Sequence, residues 1–158
     1  MKIIRIDSLP GTPFRASLMT DSAMRPDHRP LFLPVGDWIC EIRPAIRIDR
    51  LGKAIAAKFA RRYYANFTLV NYLRPTIYDN DFRYNTMDDA IVVGTWTPID
   101  QADFTIDRNA IDLLIEYLST TMTFKTGDII ILPDVVDAYI PEINQQINVS
   151  HILEFTIK

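Results

Sequence analysis

The chain reads as a mainly β, α+β domain, and three observations carry that expectation. Short runs rich in Ile, Val, Phe and Thr recur along it. Only two segments have helical periodicity, and strands and helices do not alternate regularly, which argues against a doubly wound sheet. At 158 residues, 48% apolar and 23% charged, it is expected to form one soluble domain, residues 1–158, with a sizeable core.

Met1 to Asp7 alternates like a strand. Ser8 to Pro30 reads as loop, because Pro10, Gly11, Pro13, Pro26 and Pro30 interrupt regular structure. Leu31-Phe32-Leu33 is a brief apolar segment stopped by Pro34 and Gly36. Trp38 to Ile48 fits a strand, with Pro44 tolerated at a sheet edge or bulge. Ala54 to Tyr64 is the first expected helix, placing Ile55, Phe59 and Arg62/Tyr63 on one face. Asn66 to Leu73 returns to strand character. Tyr78 to Asp89 carries six Asp or Asn residues and reads as a surface loop.

Ala90 to Trp96 looks like a buried strand, and Phe104 to Ile106 is a short apolar stretch. Asp107 or Asn109 can cap a second helix over Ala110–Leu118. Lys125-Thr126-Gly127-Asp128 is a tight-turn signal. The run Ile129-Ile130-Ile131-Leu132 after it is too short and too β-branched for another helix. Val135 to Ile140 and His151 to Ile157 each fit a strand.

Composition excludes several function classes. A formal net charge of −3 gives no support for binding a phosphate backbone, and the one basic cluster, Lys58 with Arg61-Arg62, reads as a solvated face. Cys40 is the only cysteine, so no disulfide framework or thiolate zinc cage is expected; its neighbours Trp38 and Ile39 mark it as a buried structural thiol. No apolar run reaches membrane-spanning length and the N-terminal residues lack a signal-peptide core, so a cytoplasmic setting is expected. The chain holds no Gly-rich phosphate loop, Ser-nucleophile elbow or His/Cys metal spacing. Asp79, Asp81 and Asp88-Asp89 lack the glycine and closing glutamate of an EF-hand and read as solvated loop acids.

Three segments together resemble the fumarylacetoacetate hydrolase family. The stretch from Tyr117-Leu118-Ser119 through Thr121-Met122-Thr123-Phe124-Lys125-Thr126-Gly127-Asp128 is similar to that family's helix end, Met-Thr-Leu-x-x-Gly-Asp turn and Ile/Leu-rich strand. Cys40-Glu41-Ile42-Arg43, then Gly52-Lys53, then Asn66 to Tyr72, resembles its Glu-x-Glu strand, Gly-Lys, and Asn-Asp strand. Gly94-Thr95-Trp96 is similar to its Gly-Pro-Trp. The matches occur in family order over roughly two-thirds of the chain. The resemblance implies a mixed β-sheet roll of the family's C-terminal type with two main short helices, and a homodimer.

The chemistry the resemblance implies is only partly present. Members hold Mg²⁺ or Mn²⁺ with the Glu-x-Glu carboxylates and the Asp of Asn-Asp, and use it to stabilise an enolate as a C–C bond breaks. Hard divalent cations need several anionic oxygens. Carried over position by position, the first glutamate is Glu41, but the second falls on Arg43 and the aspartate on Tyr72, beside Asn71. A lysine of the family falls near Asn85, and Gly-Thr-Pro is replaced by Pro133-Asp134-Val135. A divalent cation is therefore not expected here, and an Arg43–Glu41 pair is expected in its place.

The residues of the remnant pocket are Glu41, Arg43, Asn71, Tyr72, Arg74 and Asn85. Arg43 and Arg74 are candidates to bind a small carboxylate; the alternative is that both support surface loops. The expected function is a degenerate, non-catalytic member that binds a small carboxylate or a protein partner, or serves a purely structural role. The reading from a different class is an active hydrolase, decarboxylase or isomerase of an oxo acid, with a relocated site around Asp27, His28 and Glu41. His28 has its own plainer reading, an exposed residue in a Pro-rich loop.

Overall fold

Strand β4 (Trp38–Arg47) pairs antiparallel along its whole length with β5 (Asn66–Pro75), from Trp38 opposite Pro75 to Ile46 opposite Phe67. The structure, a computed structural model, describes residues 1–11, 13–26, 29–77 and 82–158. Around this pair lie β1 (Ile3–Ser8), β2 (Arg15–Met19), β3 (Met24–Pro26), β6 (Ile91–Val93) and β8 (Ile129–Ile131), in the order β2-β1-β8-β4-β5-β6-β3. Short β7 (Thr97–Pro98) joins β5, and β9 (Asp137–Tyr139) joins β4. The β1–β8 and β3–β6 pairs are parallel and the rest antiparallel, giving a mixed sheet curled into a half-barrel. A separate hairpin is formed by β10 (Gln146–Val149) and β11 (Leu153–Thr156).

The curl buries both faces of the central strands, which is why Ile129-Ile130-Ile131 shows no polar alternation. Ile4, Ile6, Ile42, Ile46, Leu69 and Ile130 pack toward the helix α2 (Arg108–Ser119), whose Ile111, Leu114, Ile115 and Leu118 close the larger core. Ile3, Ala45, Val70, Tyr72, Ile129 and Ile131 point the other way, into a second cluster with Met19 and Ile91. Helix α2 begins as the sequence predicts: the Asp107 carboxylate accepts the Ala110 N–H at 3.0 Å.

The turn before β8 is held by Asp128. Its carboxylate accepts the backbone N–H groups of Lys125 and Lys2, each at 2.8 Å, and pairs with Lys2 Nζ at 2.6 Å. Gly127 takes a left-handed φ of +93°, which a side chain would oppose. The turn thereby fixes β8 beside β1.

Several expectations are corrected. The segment Ala54 to Tyr64 is not an α-helix; it holds a 3-10 turn, Ala57–Arg62, with Ala54 at φ 51°. Its early N–H groups are drawn to α2, since Ile55 N–H bonds Ser119 Oγ and Ala57 N–H bonds Glu116 Oε2, so they cannot start an α-helical ladder. The region Ser8 to Pro30 is not all loop: β2 lies between Pro13 and Pro26, β3 ends on Pro26, and the two form the edges of the sheet, where a proline is tolerated. Phe104 joins no strand and packs edge-on against Phe67. His151 lies in the turn before β11, at φ 55°.

Pro44 sits mid-strand and not at an edge. Its carbonyl accepts Leu132 N–H at 2.9 Å, and Ile42 O accepts Val136 N–H at 2.8 Å. The chain leaves β4 between those two points, after β8 and before β9, so the missing proline donor costs no ladder bond. The Tyr78–Asp89 region contributes a four-residue helix, α1 (Phe82–Asn85); residues 78–81 lie outside the described residues.

Candidate functional site

Side chains at positions 41, 43 and 45 of β4 share a face, as strand alternation requires. Glu41 lies directly opposite Tyr72 of β5 in the register, and Arg74 follows two residues on. The carry-over of sequence positions onto these two strands therefore places 41, 43 and 72 together in space. Both are buried, Glu41 at 6% exposure and Arg43 at 8%.

Arg43 donates from Nε and Nη2 to one carboxylate oxygen of Glu41, Oε2, at 2.9 and 2.7 Å. Arg74 Nε donates to the other oxygen, Oε1, at 2.8 Å. The remaining Arg43 nitrogen, Nη1, bonds Ile6 O at 3.1 Å and lies 3.5 Å from Asp7 Oδ1. Asp7 in turn receives both Nε and Nη2 of Arg5, at 3.1 and 3.2 Å. Arg5, with no exposed surface, also donates to Tyr72 Oη at 2.5 Å, to Ser17 Oγ at 3.1 Å and to Asn85 Oδ1 at 3.3 Å.

The result is a line of alternating charge running Arg5, Asp7, Arg43, Glu41, Arg74, with Arg5, Arg43 and Glu41 buried and Asp7 and Arg74 half-buried. Burial works against ionising Glu41, but the Arg43 charge and the hydrogen bonds from Arg74 and Arg43 outweigh it and hold the carboxyl below its usual range. Burial raises Tyr72, only partly offset by the Arg5 cation, so its phenol stays neutral.

These residues do not fit Mg²⁺ or Mn²⁺. Such an ion needs several anionic oxygens, and Glu41 is the one carboxylate left at the three carried-over positions, with each of its oxygens held by an arginine. A divalent ion about 4 Å from the Arg43 guanidinium would be repelled by roughly 8 kcal/mol at an effective dielectric of about 20. Among the described residues no group of three or more His, Cys, Asp or Glu side chains is clustered for a metal.

Sequence reasoning singled out six pocket residues, and the structure brings five of them together. Glu41, Arg43, Tyr72 and Arg74 meet directly, and α1 carries Asn85 to Arg5. Asn71 points through the opposite face, because alternation along β5 turns it away from Tyr72. There it donates to Cys40 Sγ at 3.4 Å and accepts from Tyr139 Oη at 2.7 Å. Burial pushes the Cys40 thiol up despite those bonds, as befits a structural cysteine. Asp27, His28, Asp79 and Asp81 lie outside the described residues. Arg5, Asp7 and Ser17 were not singled out. The one sequence signal for Arg5 and Asp7 is the charged pair at i and i+2 on an otherwise apolar strand, the same spacing as Glu41 and Arg43; Ser17 has none.

The sequence matches no family model and no curated protein. Solved structures are similar over 99% of this chain. A 5-carboxymethyl-2-hydroxymuconate delta-isomerase from Mycobacterium smegmatis superposes with TM-score 0.77 at 20% identity, over 77% of its own length. A maleylpyruvate hydrolase from Sphingobium sp. SYK-6 gives TM-score 0.78 at 16% identity, over 70% of its length. A protein provisionally described as a fumarylacetoacetate hydrolase family member, from Yersinia pestis CO92, gives 0.80 at 13%, over 93%. The resemblance read from the three segments is borne out as a likeness of fold, and no helix among the described residues is long and apolar enough to cross a membrane.

Proposed function

We propose that this chain, which has the fold of the fumarylacetoacetate hydrolase family, has lost metal-dependent C–C cleavage and acts as a metal-free binding protein. One observation carries the proposal: Arg43 and Arg74 each hold one oxygen of Glu41. The carboxylate that would ligate a cation is spent inside the chain. Because the arginines already grip an internal carboxylate, the geometry favours a protein partner over a small carboxylate ligand. A homodimer and a cytoplasmic setting complete the proposal.

The active reading, a hydrolase, decarboxylase or isomerase of an oxo acid, is supported by neighbours described as hydrolases and isomerases. A Mn²⁺ titration followed by thermal melting separates the two. A site of micromolar affinity would stabilise the fold by about 4 kcal/mol at about a thousandfold excess over Kd. The expected outcome is no shift; a saturable shift of that size restores the catalytic reading.

A further inference from the structure

Helix α2 buries Ile111, Leu114, Ile115 and Leu118 in the core, yet it also turns Leu113 and Tyr117 outward, where they are 58% and 48% exposed. On an amphipathic helix those outward positions ordinarily carry polar residues. Their spacing of four sets them one turn apart on a single stripe, with Ala110 a turn earlier. Leu9 and Pro10, which follow β1, complete the wall, and the enclosed space is a cavity of about 490 Å³. That volume lies within the range of small-molecule sites, which combine a largely apolar wall with a few polar groups. Phe14 braces the wall from behind, its ring centroid 4.8 Å from that of Tyr117.

Among the described residues, Glu116 is the one charged side chain in that wall. Its Oε2 accepts the Ala57 N–H at 2.7 Å, which fixes the carboxylate, and it enters no ion pair among the described residues. The nearby cations are engaged elsewhere: Arg61 bonds Asp112 and Asn109, and Lys58 lies over the Phe59 ring. Two further features carry the same sign. Glu116 and Tyr117 stand in the last turn of α2, at the negative end of the helix dipole, and that turn holds no basic residue. The Tyr117 ring offers an aromatic face, which attracts cations. A carboxylate, a helix C-terminus and an aromatic ring set into an apolar wall together select a cation carried on an apolar body.

We propose that this cavity binds a small hydrophobic amine, with its ammonium group at Glu116 and Tyr117 and its apolar part against Leu9, Pro10, Ala110 and Leu113. The site is separate from the Glu41 network. Helix α2 packs on the face of β4 that carries Ile42 and Ile46, and strand alternation directs Glu41 and Arg43 to the other face. Its selectivity is also opposite, because the arginines around Glu41 repel a cation. The inference thus goes beyond the loss of metal chemistry and stands whatever the Mn²⁺ titration gives.

Isothermal titration calorimetry at neutral pH tests it with three probes of one shape: phenethylamine, the neutral phenethyl alcohol and the anionic hydrocinnamate. The amine should bind saturably with a Kd below about 1 mM. The alcohol should bind at least about tenfold more weakly, since it lacks the charge-assisted bond to the carboxylate, and hydrocinnamate more weakly still. Glu116→Gln keeps an oxygen for the Ala57 N–H and should bring the amine down to the affinity of the alcohol. Leu113→Arg changes an exposed position and sets a cation in the cavity; it should abolish amine binding and leave the melting temperature unchanged. Absence of amine binding, equal binding of the three probes, an amine preference retained in Glu116→Gln, or binding that survives Leu113→Arg would each overturn the proposal.

Discussion

Arg43 and Arg74 divide the Glu41 carboxylate between them, Arg43 on Oε2 and Arg74 on Oε1. That division makes the two ends of the pair unequal. Removing Glu41 leaves the buried Arg43 and the half-buried Arg74 guanidinium groups short of an anion. Removing Arg43 leaves Glu41 with Arg74, and Asp7 with Arg5. Glu41→Gln should therefore destabilise the fold by about 3–5 kcal/mol and Arg43→Met by clearly less, roughly 1–3 kcal/mol. Urea unfolding of the two variants measures the difference; equal losses would show that the arginines do not share the charge.

Acid should weaken the fold through the same carboxylate and one other. Glu41 is held low as described, and in Asp128 burial is outweighed by the Lys2 side chain and the backbone N–H groups of Lys2 and Lys125. A carboxyl depressed in the folded state contributes stability that is complete above its unfolded pKa, about 4, and is lost as pH falls through the folded value. Stability should thus fall progressively below about pH 5. Glu41→Gln and Asp128→Asn should each flatten that acid limb in melts taken from pH 7 downward, while lowering stability at pH 7.

The alkaline side has the opposite sign. Burial and the hydrogen bond to Asp112, 2.7 Å away, push Tyr64 up to about 12. The unfolded phenol ionises near about 10, so between about pH 10 and pH 12 ionisation favours unfolding. Tyr64→Phe should cost about 1 kcal/mol at neutral pH and shift the alkaline midpoint upward, read by tyrosinate absorbance against circular dichroism.

The central strands and the Lys125–Asp128 turn were legible because their signals are local: β-branched runs, a glycine at positive φ, and an aspartate able to cap its own turn. The Glu41–Arg43 pair was legible because i and i+2 share a strand face. Arg5 and Asp7 were not, since charges alternating on a terminal strand look solvated; only the curl of the sheet over that face buries Arg5 and half-buries Asp7. The Ala54–Tyr64 segment misled for a related reason. Its spacing suits an α-helix, but Ser119 and Glu116 claim the donors that would have begun one.

Gly94 of the Gly94-Thr95-Trp96 segment is fixed by close approach and not by its dihedral angles. It crosses between β5 and the turn before β11, with its N–H on Leu69 O at 2.9 Å and the next N–H, of Thr95, on Ile152 O at 2.8 Å. A Cβ at this position would stand 2.5 Å from Ile152 O and 3.0 Å from Leu69 O. Both obstacles are backbone, so neither can rotate aside as a flexible side chain would. Gly94→Ala must either break the Thr95 bond or push the β10–β11 hairpin off the sheet, costing about 2–4 kcal/mol. Hydrogen exchange locates the damage: protection should drop at Thr95 and across β11 while β1 and β8 keep theirs. Uniform loss across the sheet would mean that the hairpin and the half-barrel unfold as one unit.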